Sequence, residues 1–221
     1  MPFVVAIDGP AGTGKGTVTK IIADRLNLIY IDTGAMYRAV ALKALKNNIK
    51  PEETEKIEEI LKDISIKLNR INEKQQILLD GIDVTQEIRT PEVDDVVAKF
   101  AAVKQVREKM TPLQRKMKSE GNIIMEGRDI GTVVFPDADV KIYLDATVEE
   151  RAKRRYKQNL ENGIKCTFEE ILTSIKERHI LETTREIAPL KQAEDAIYVD
   201  STELSIEEVV QKIIAIIEEK I

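Results

Sequence analysis

Tryptophan is absent from this sequence, and cysteine and histidine occur once each, as Cys166 and His179. A single cysteine excludes an internal disulfide and any cysteine metal cluster, so Cys166, in a polar segment, reads as an incidental thiol. His179 lacks the partners that a His-rich metal site or a histidine-based triad requires, and reads as structural. No apolar stretch approaches the ~20 residues needed to cross a bilayer. The N-terminus also lacks the basic region and long apolar run of a signal peptide, which makes the cytoplasm the expected compartment. An excess of positive charge is missing too: the net charge is −5, which argues against a general nucleic-acid binder. What remains is ordinary material for a globular protein. With 221 residues, 43% hydrophobic and 33% charged, the chain can bury one full core with insertions, or two small ones.

The most informative segment is Gly9-Pro10-Ala11-Gly12-Thr13-Gly14-Lys15-Gly16-Thr17. An apolar run, Phe3–Ile7, precedes it, and Val18, Ile21, Ile22 and Leu26 follow at helical spacing. Strand, glycine-rich loop and helix together form a phosphate cradle. Glycines 9, 12 and 14 permit backbone conformations that a Cβ obstructs, so consecutive N–H groups turn towards phosphate oxygens at the positive end of a helix. Lys15 adds a mobile cation for the β- and γ-phosphates. The general motif places Ser or Thr directly after the lysine as a magnesium ligand; here Gly16 stands there, with Thr17 one place later. That leaves Mg²⁺ to phosphates and water and supplies no protein metal ligand.

Five strand candidates, Phe3–Ile7, Leu28–Ile31, Asn122–Met125, Val140–Leu144 and Ala196–Val199, alternate with helical patterns. The alternation predicts a parallel sheet covered by helices on both faces. Helices are expected at Thr13–Leu26, Gly34–Asn47, Glu52–Lys62, Glu92–Ala102, Val103–Glu120, Thr147–Glu161, Phe168–Thr184 and Ile206–Lys220, with Pro51 and Pro91 in first turns and Pro112 kinking or dividing its helix. Ile64 to Thr85 breaks the rhythm. Ile64–Leu68 alternates, Asn69–Gln75 is a polar turn, and Gln76–Leu79 and Gly81–Val84 follow, which reads as a small inserted antiparallel sheet. The expected organisation is a core of residues 1–62, 86–150 and 186–221, an insert at 63–85 that either binds substrate or is inert decoration, and a basic helical lid at 151–185.

Two further segments carry candidate chemistry. Asp32-Thr33-Gly34-Ala35-Met36-Tyr37-Arg38 opens a helix at the carboxyl edge of the sheet, where Asp32 and Thr33 either cap the helix or join Arg38 in meeting a phosphate. Glu126-Gly127-Arg128-Asp129-Ile130-Gly131-Thr132 ends the third core strand. There Arg128 suits a phosphate and Asp129 an exocyclic amine, unless they are structural ions. Arg151, Lys153, Arg154, Arg155 and Lys157 concentrate cations within seven residues, which in an acidic protein suits a small polyanion. Arg178, Glu182 and Arg185 are spaced to share one helix face, as either a ligand-facing set or a surface ion-pair ladder.

Taken together, these segments with Glu87–Thr90, Val106-Arg107, the continuation to Asp137, Ala188-Pro-Leu190 and Asp200-Ser-Thr202 closely resemble the bacterial cytidylate kinases, from end to end. The resemblance implies a P-loop three-layer α/β fold: a five-stranded parallel sheet, an inserted antiparallel monophosphate-binding subdomain and a helical lid. It implies phosphoryl transfer from ATP, with Mg²⁺, to CMP or dCMP by a monomeric cytoplasmic enzyme that uses neither nucleic acid nor membrane. Carried over by position, Lys15, Arg128 and Arg185 are catalytic, and Arg151 and Arg155 clamp ATP with the Gly9–Thr17 loop. Thr33 and Arg38 meet the monophosphate end and Arg128 and Arg185 its phosphate. Arg107 and Asp129 read cytosine, while Arg178 and Glu182 face the ribose. Two positions depart from the family's common pattern: Ala98 replaces a base-contacting serine, and Glu182 a ribose-contacting aspartate. An adenylate- or shikimate-kinase type of phosphotransferase would keep the loop but not the Arg128 segment. A nucleotide-dependent switch would keep Ser or Thr after the lysine.

Overall fold

A computed structural model describes residues 2–71 and 74–220. The chain divides into two compact units, residues 1–31 with 117–221, and residues 32–116. The expected insert, 63–85, falls inside the second unit together with 32–62 and 86–116, which the sequence had grouped with the core.

The first unit holds a five-stranded sheet in the order β2-β6-β1-β7-β8, from β1 (Val4–Asp8), β2 (Ile29–Asp32, whose last residue opens the second unit), β6 (Ile123–Gly127), β7 (Val140–Asp145) and β8 (Ile197–Asp200). β1 pairs in parallel with β6 and β7, and β7 with β8. Every residue of β1 and β6 is buried, so neither face of these strands meets water, which explains their unbroken apolar reading. α1 (Lys15–Leu26) and α8 (Ile206–Glu218) contribute Val18, Ile22, Val210, Ile213 and Ile217 to one core with Val5, Ile7, Ile142 and Leu144. α6 (Val148–Glu161) and α7 (Phe168–Thr184) complete the unit. α7 and α8 each begin with a reciprocal capping box, Thr167 with Glu170 and Ser205 with Glu208. From β1 the chain runs to β2 on one side, and from β6 it returns to β7 on the other, so a crevice opens at the carboxyl ends of β1 and β6.

The second unit packs α2 (Thr33–Lys46), α3 (Thr54–Lys62), α4 (Pro91–Ala102) and α5 (Lys104–Lys116) with a three-stranded antiparallel sheet. Its strands are β3 (Ile66–Ile71), β4 (Lys74–Leu79) and β5 (Ile82–Asp83). β3 and β4 run into what the sequence reads as a turn at 69–75, of which Asn72 and Glu73 lie outside the described residues. Asp80 and Gly81, at φ 51° and 85°, make the two-residue turn to β5, so Gly81 belongs to the turn and not to a strand.

Most helices and strands fall within one or two residues of expectation, and three readings are corrected. Pro51 lies in a turn ahead of α3: Glu53 N donates to Lys50 O at 3.1 Å while the Glu53 carboxylate accepts from Lys50 N at 2.8 Å, which closes the turn over the proline. Pro112 does not divide its helix, since α5 runs unbroken from Lys104 to Lys116 and then gives way to a 3₁₀ turn, Met117–Glu120. Pro112 and Glu108 are both exposed, so the carbonyl left without an N–H donor is open to water. Arg185 is not on a helix with Arg178 and Glu182, because α7 ends at Thr184 and Arg185 is its extended C-cap (ψ 143°).

Candidate active site

In the first unit the glycine-rich loop takes the conformation its sequence requires. Gly9 lies at φ 150°, and a Cβ there would come 2.0 Å from Leu144 O on the neighbouring strand. Gly12 and Gly14 lie at 87° and 85°. The loop's carbonyls are engaged by cations. The Lys15 Nζ donates to Pro10 O at 2.6 Å and to Thr13 Oγ1 at 3.2 Å. On α6, the Arg151 guanidinium donates to Ala11 O at 3.2 Å and to Ala146 O at 3.1 Å, and Arg154 donates to Thr13 O at 3.1 Å. Arg154 also holds Ser201, through Oγ at 3.0 Å and the carbonyl at 2.6 Å. With its carbonyls so occupied, the loop and the first turn of α1 have N–H groups to offer a ligand, at the positive end of a twelve-residue helix. Such a surface suits an anion.

Arg155, the other expected ATP clamp, is part-exposed and donates to Gln158 Oε1 at 3.0 Å. The sequence placed Arg154 in the cation cluster of 151–157 but gave it no role of its own, although it lies one helical turn from Arg151 on α6. It missed Asp8 at the end of β1, and named Glu126, near the end of β6, only as the start of the Arg128 segment, with no role of its own. Tyr30 donates a short hydrogen bond to Glu126, and a Cβ on Gly16 would lie 3.1 Å from Glu126 Oε1. The room that a hydroxyl-bearing residue after the lysine would need is therefore taken by a carboxylate.

Beyond the loop, buried charges gather. Glu182, 4% exposed, accepts from Arg128 Nε through one oxygen and from Arg178 Nε through the other, each at 2.9 Å. This excludes the surface ladder. Burial works to raise the Glu182 pKa, but Arg128 and Arg178 outweigh it and bring it down to about 2. Arg185 donates twice to Ala188 O, at 2.8 and 2.5 Å, and its guanidinium lies 3.7 Å from Asp129 Oδ1. Burial, reinforced by Arg128, pushes the Lys15 ammonium down to about 7 against the pull of Glu126, Glu182 and Asp8. Asp8, buried at the end of β1, is pushed up to about 6 by its desolvation, although two backbone N–H groups oppose the shift. The structure thus brings Lys15, Arg128, Asp129, Arg178, Glu182 and Arg185 into one charged cluster beside the phosphate loop, with Arg151 on the loop itself.

The second unit holds the other expected residues. Asp32 caps α2 by accepting from Ala35 N at 3.1 Å, which satisfies the capping reading, and Thr33 is the first, buried residue of that helix. Arg38 pairs closely with Asp94 and donates to Ile88 O at 3.1 Å. Arg107 is buried on α5, donates to Ala101 O at 3.2 Å and lies over the Tyr37 ring at 5.4 Å.

The description "Cytidylate kinase" belongs to the family model that matches residues 5–219. The chain belongs to the cytidylate kinase family. It is 51% identical over 216 residues to the cytidylate kinase of Carboxydothermus hydrogenoformans, covering 98% of this chain and 97% of that one. To the cytidylate kinase of Bacillus subtilis it is 46% identical over 216 residues, 98% and 96% of the two chains. Among solved structures, an uncharacterized protein from Eubacterium ventriosum superposes with a TM-score of 0.54 at 11% identity, covering 99% of both chains. The shikimate kinase from Bacteroides thetaiotaomicron does so with a TM-score of 0.51 at 13% identity, again over 99% of both. Likeness at such identity speaks for the fold alone. It is the whole-length relatives that separate cytidylate kinases from other phosphotransferases with this loop.

Proposed function

We propose that the protein transfers the γ-phosphoryl group of ATP to CMP or dCMP, giving ADP and CDP or dCDP. The observation that carries this reading is the family match over residues 5–219. The chemistry of the first unit supports it, since a cradle of N–H groups beside a cluster of arginines suits a reaction between two phosphates.

In this reading the loop Gly9–Thr17 and Lys15 hold the β- and γ-phosphates, with Arg151 and Arg155 contributing from the 151–185 lid region. Arg128 and Arg185 bind the acceptor phosphate, with Thr33 and Arg38 at the same end. Arg107 and Asp129 recognise cytosine, while Arg178 and Glu182 meet the ribose; the sheet at 63–85 belongs to the monophosphate-binding part. A phosphate oxygen of the acceptor is already an anion near neutral pH, so the reaction needs alignment and charge neutralisation more than a general base. That accords with a chain that holds a single histidine. Lys15, Arg128 and Arg185 supply fixed positive charge to oxygens whose charge spreads as the phosphoryl group moves.

Among the described residues no three His, Cys, Asp or Glu side chains converge to hold a metal ion. With Gly16 backed by Glu126, the site fits a magnesium ion carried on phosphates and water, one that would neutralise part of the nucleotide's charge. The reading also has the enzyme working as a monomer in the cytoplasm, on small-molecule nucleotides rather than nucleic acid or membrane. No helix among the described residues is long and apolar enough to cross a membrane. A coupled assay for ADP, offering ATP with CMP, dCMP, UMP, AMP or shikimate in turn, tests the proposal. CMP and dCMP are expected to be the best acceptors; turnover confined to AMP or shikimate would overturn it.

A further inference from the structure

Asp8 is a buried carboxylate, 5% exposed, that the reaction itself does not use. Its oxygens accept from two consecutive N–H groups, Ile130 at 2.8 Å and Gly131 at 2.7 Å. These are the first N–H groups of the short π-helical turn Ile130–Val134, for which Asp129 is the N-cap. Within the turn, Val133 and Val134 donate to Asp129 O and Phe135 donates to Ile130 O, so no carbonyl of the turn is available to Ile130 or Gly131. On the other side of Arg128, β6 ends at Gly127, whose register partner across the parallel pair with β1 is Asp8 itself. One residue therefore grips the Arg128-Asp129 dipeptide at both ends: through strand pairing before it and through its carboxylate after it.

We propose that Asp8 is the positioning residue that holds Arg128 and Asp129 in place for the acceptor nucleotide. The proposal rests on the assignment of those two residues to the acceptor, and it adds a role that neither resemblance nor motif supplied. A carboxylate is the group the geometry calls for, because both of its oxygens accept, whereas the amide of Asn offers one acceptor and one donor. Asp8→Asn keeps the shape and leaves one buried N–H facing another donor. A carboxylate that merely stabilised the fold would lower thermal stability without separating the substrates. A clamp on the Arg128 segment would weaken the acceptor more than ATP.

The experiment measures KM for CMP, the CMP-to-UMP ratio of specificity constants, binding of a non-hydrolysable ATP analogue and thermal midpoint. The variants are Asp8→Asn, Gly131→Ala and Asp129→Asn. Gly131→Ala approaches the clamp from its other partner and stands in should Asp8→Asn fail to fold: its Cβ would lie 3.2 Å from the Lys141 side chain, whose ammonium is held by Pro136 O and Asp195, and 3.4 Å from Asp8 Oδ2. Asp8→Asn is expected to raise KM for CMP about tenfold or more, the scale of one unpaired buried N–H, and Gly131→Ala, which crowds the turn without unpairing it, to raise KM for CMP by a smaller factor. Both should narrow the CMP-to-UMP ratio and weaken the analogue by a smaller factor than they raise KM for CMP, since Asp8 also draws on the charge of Lys15. CMP parameters unchanged in the variants that fold, or an equal loss of nucleotide-analogue binding, would overturn the proposal. If Asp129→Asn responds and the clamp variants do not, Asp8 alone is misassigned. If Asp129→Asn is also silent, the assignment of the acceptor falls with it.

Discussion

Lys15→Ala separates what this lysine does for the reaction from what it does for the fold. In the structure Lys15 is 5% exposed and its ammonium is spent on the loop, at 2.6 Å from Pro10 O and 3.2 Å from Thr13 Oγ1. Removing it loses two hydrogen bonds, about 1 kcal/mol each, and part of a buried aliphatic stem. Against that stands the cost of keeping a cation buried beside Arg128, which has moved its pKa from 10.5 down to about 7. The unfolded chain carries the charged amine freely below pH 10.5, so the folded state is penalised as pH falls from there towards 7, by a few kcal/mol at neutrality. Gain and loss are of similar size, and the thermal midpoint at pH 7 should hold within a few degrees, given that about 1 kcal/mol moves a chain of this length by about 2–4 °C.

Phosphoryl transfer has no such offset. A preorganised cation directed at spreading charge is worth about 10²–10³ in turnover, so the variant should fall at least about a hundredfold at saturating ATP and CMP. The assay follows ADP by coupled oxidation and unfolding by calorimetry on the same preparation. Turnover within about tenfold of wild type would remove Lys15 from the reacting phosphates. A midpoint drop of more than about 8 °C would make it a structural brace instead.

Further outcomes follow from the same geometry. Because the ligand-free Lys15 amine titrates near 7 and an adjoining phosphate favours its charged form, ATP binding above pH 7 should take up close to one proton and weaken by up to about tenfold per pH unit; calorimetry in two buffers of different ionisation enthalpy measures this, and zero uptake at pH 8 refutes it. Gly9→Ala places a Cβ 2.0 Å from Leu144 O and should yield insoluble or inactive protein, so a soluble variant with normal ATP affinity contradicts the loop's packing. If Asp129 accepts from the cytosine amine as proposed, Asp129→Asn should narrow the preference for CMP over UMP, because that acceptor becomes an amide; an unchanged ratio with lower activity would leave Asp129 structural. Glu182→Gln should impair CMP more than dCMP if the side chain meets a ribose hydroxyl, and equal losses on both acceptors would restrict it to orienting Arg128 and Arg178.

The phosphate loop was legible because everything it needs is local: an apolar strand, four glycines and a helical pattern lie within the first 26 residues. The parallel sheet was legible for a similar reason, since strands buried on both faces cannot hide their apolar runs. What escaped depends on partners far along the chain. Asp8 meets residues 122 and 123 positions away, and Arg154 meets the loop across 141. A carboxylate at the end of a strand announces a buried acceptor only once a particular turn packs against it. Two prolines show the converse. Pro51 was outweighed by the Glu53 side chain closing its turn, and Pro112 was tolerated because its helix face is wet.

The interleaving of acids with the site's basic groups has its own logic. Lys15, Arg128, Arg178 and Arg185 would repel one another in the low-dielectric interior if left alone, and uncompensated burial costs more than any pairing there returns. Glu182 between two arginines, Asp129 beside Arg185 and Glu126 behind Gly16 hold those cations in place before a ligand arrives. Arg128 and Arg178 each give Nε to Glu182, which is one edge of a planar group that carries two further nitrogens. In the proposed reaction, preorganisation of this kind would spare the work of turning arginines towards the phosphates as charge develops. It also explains why a net-acidic protein can present a locally cationic site: the anions that make the whole chain negative include the ones that position its arginines.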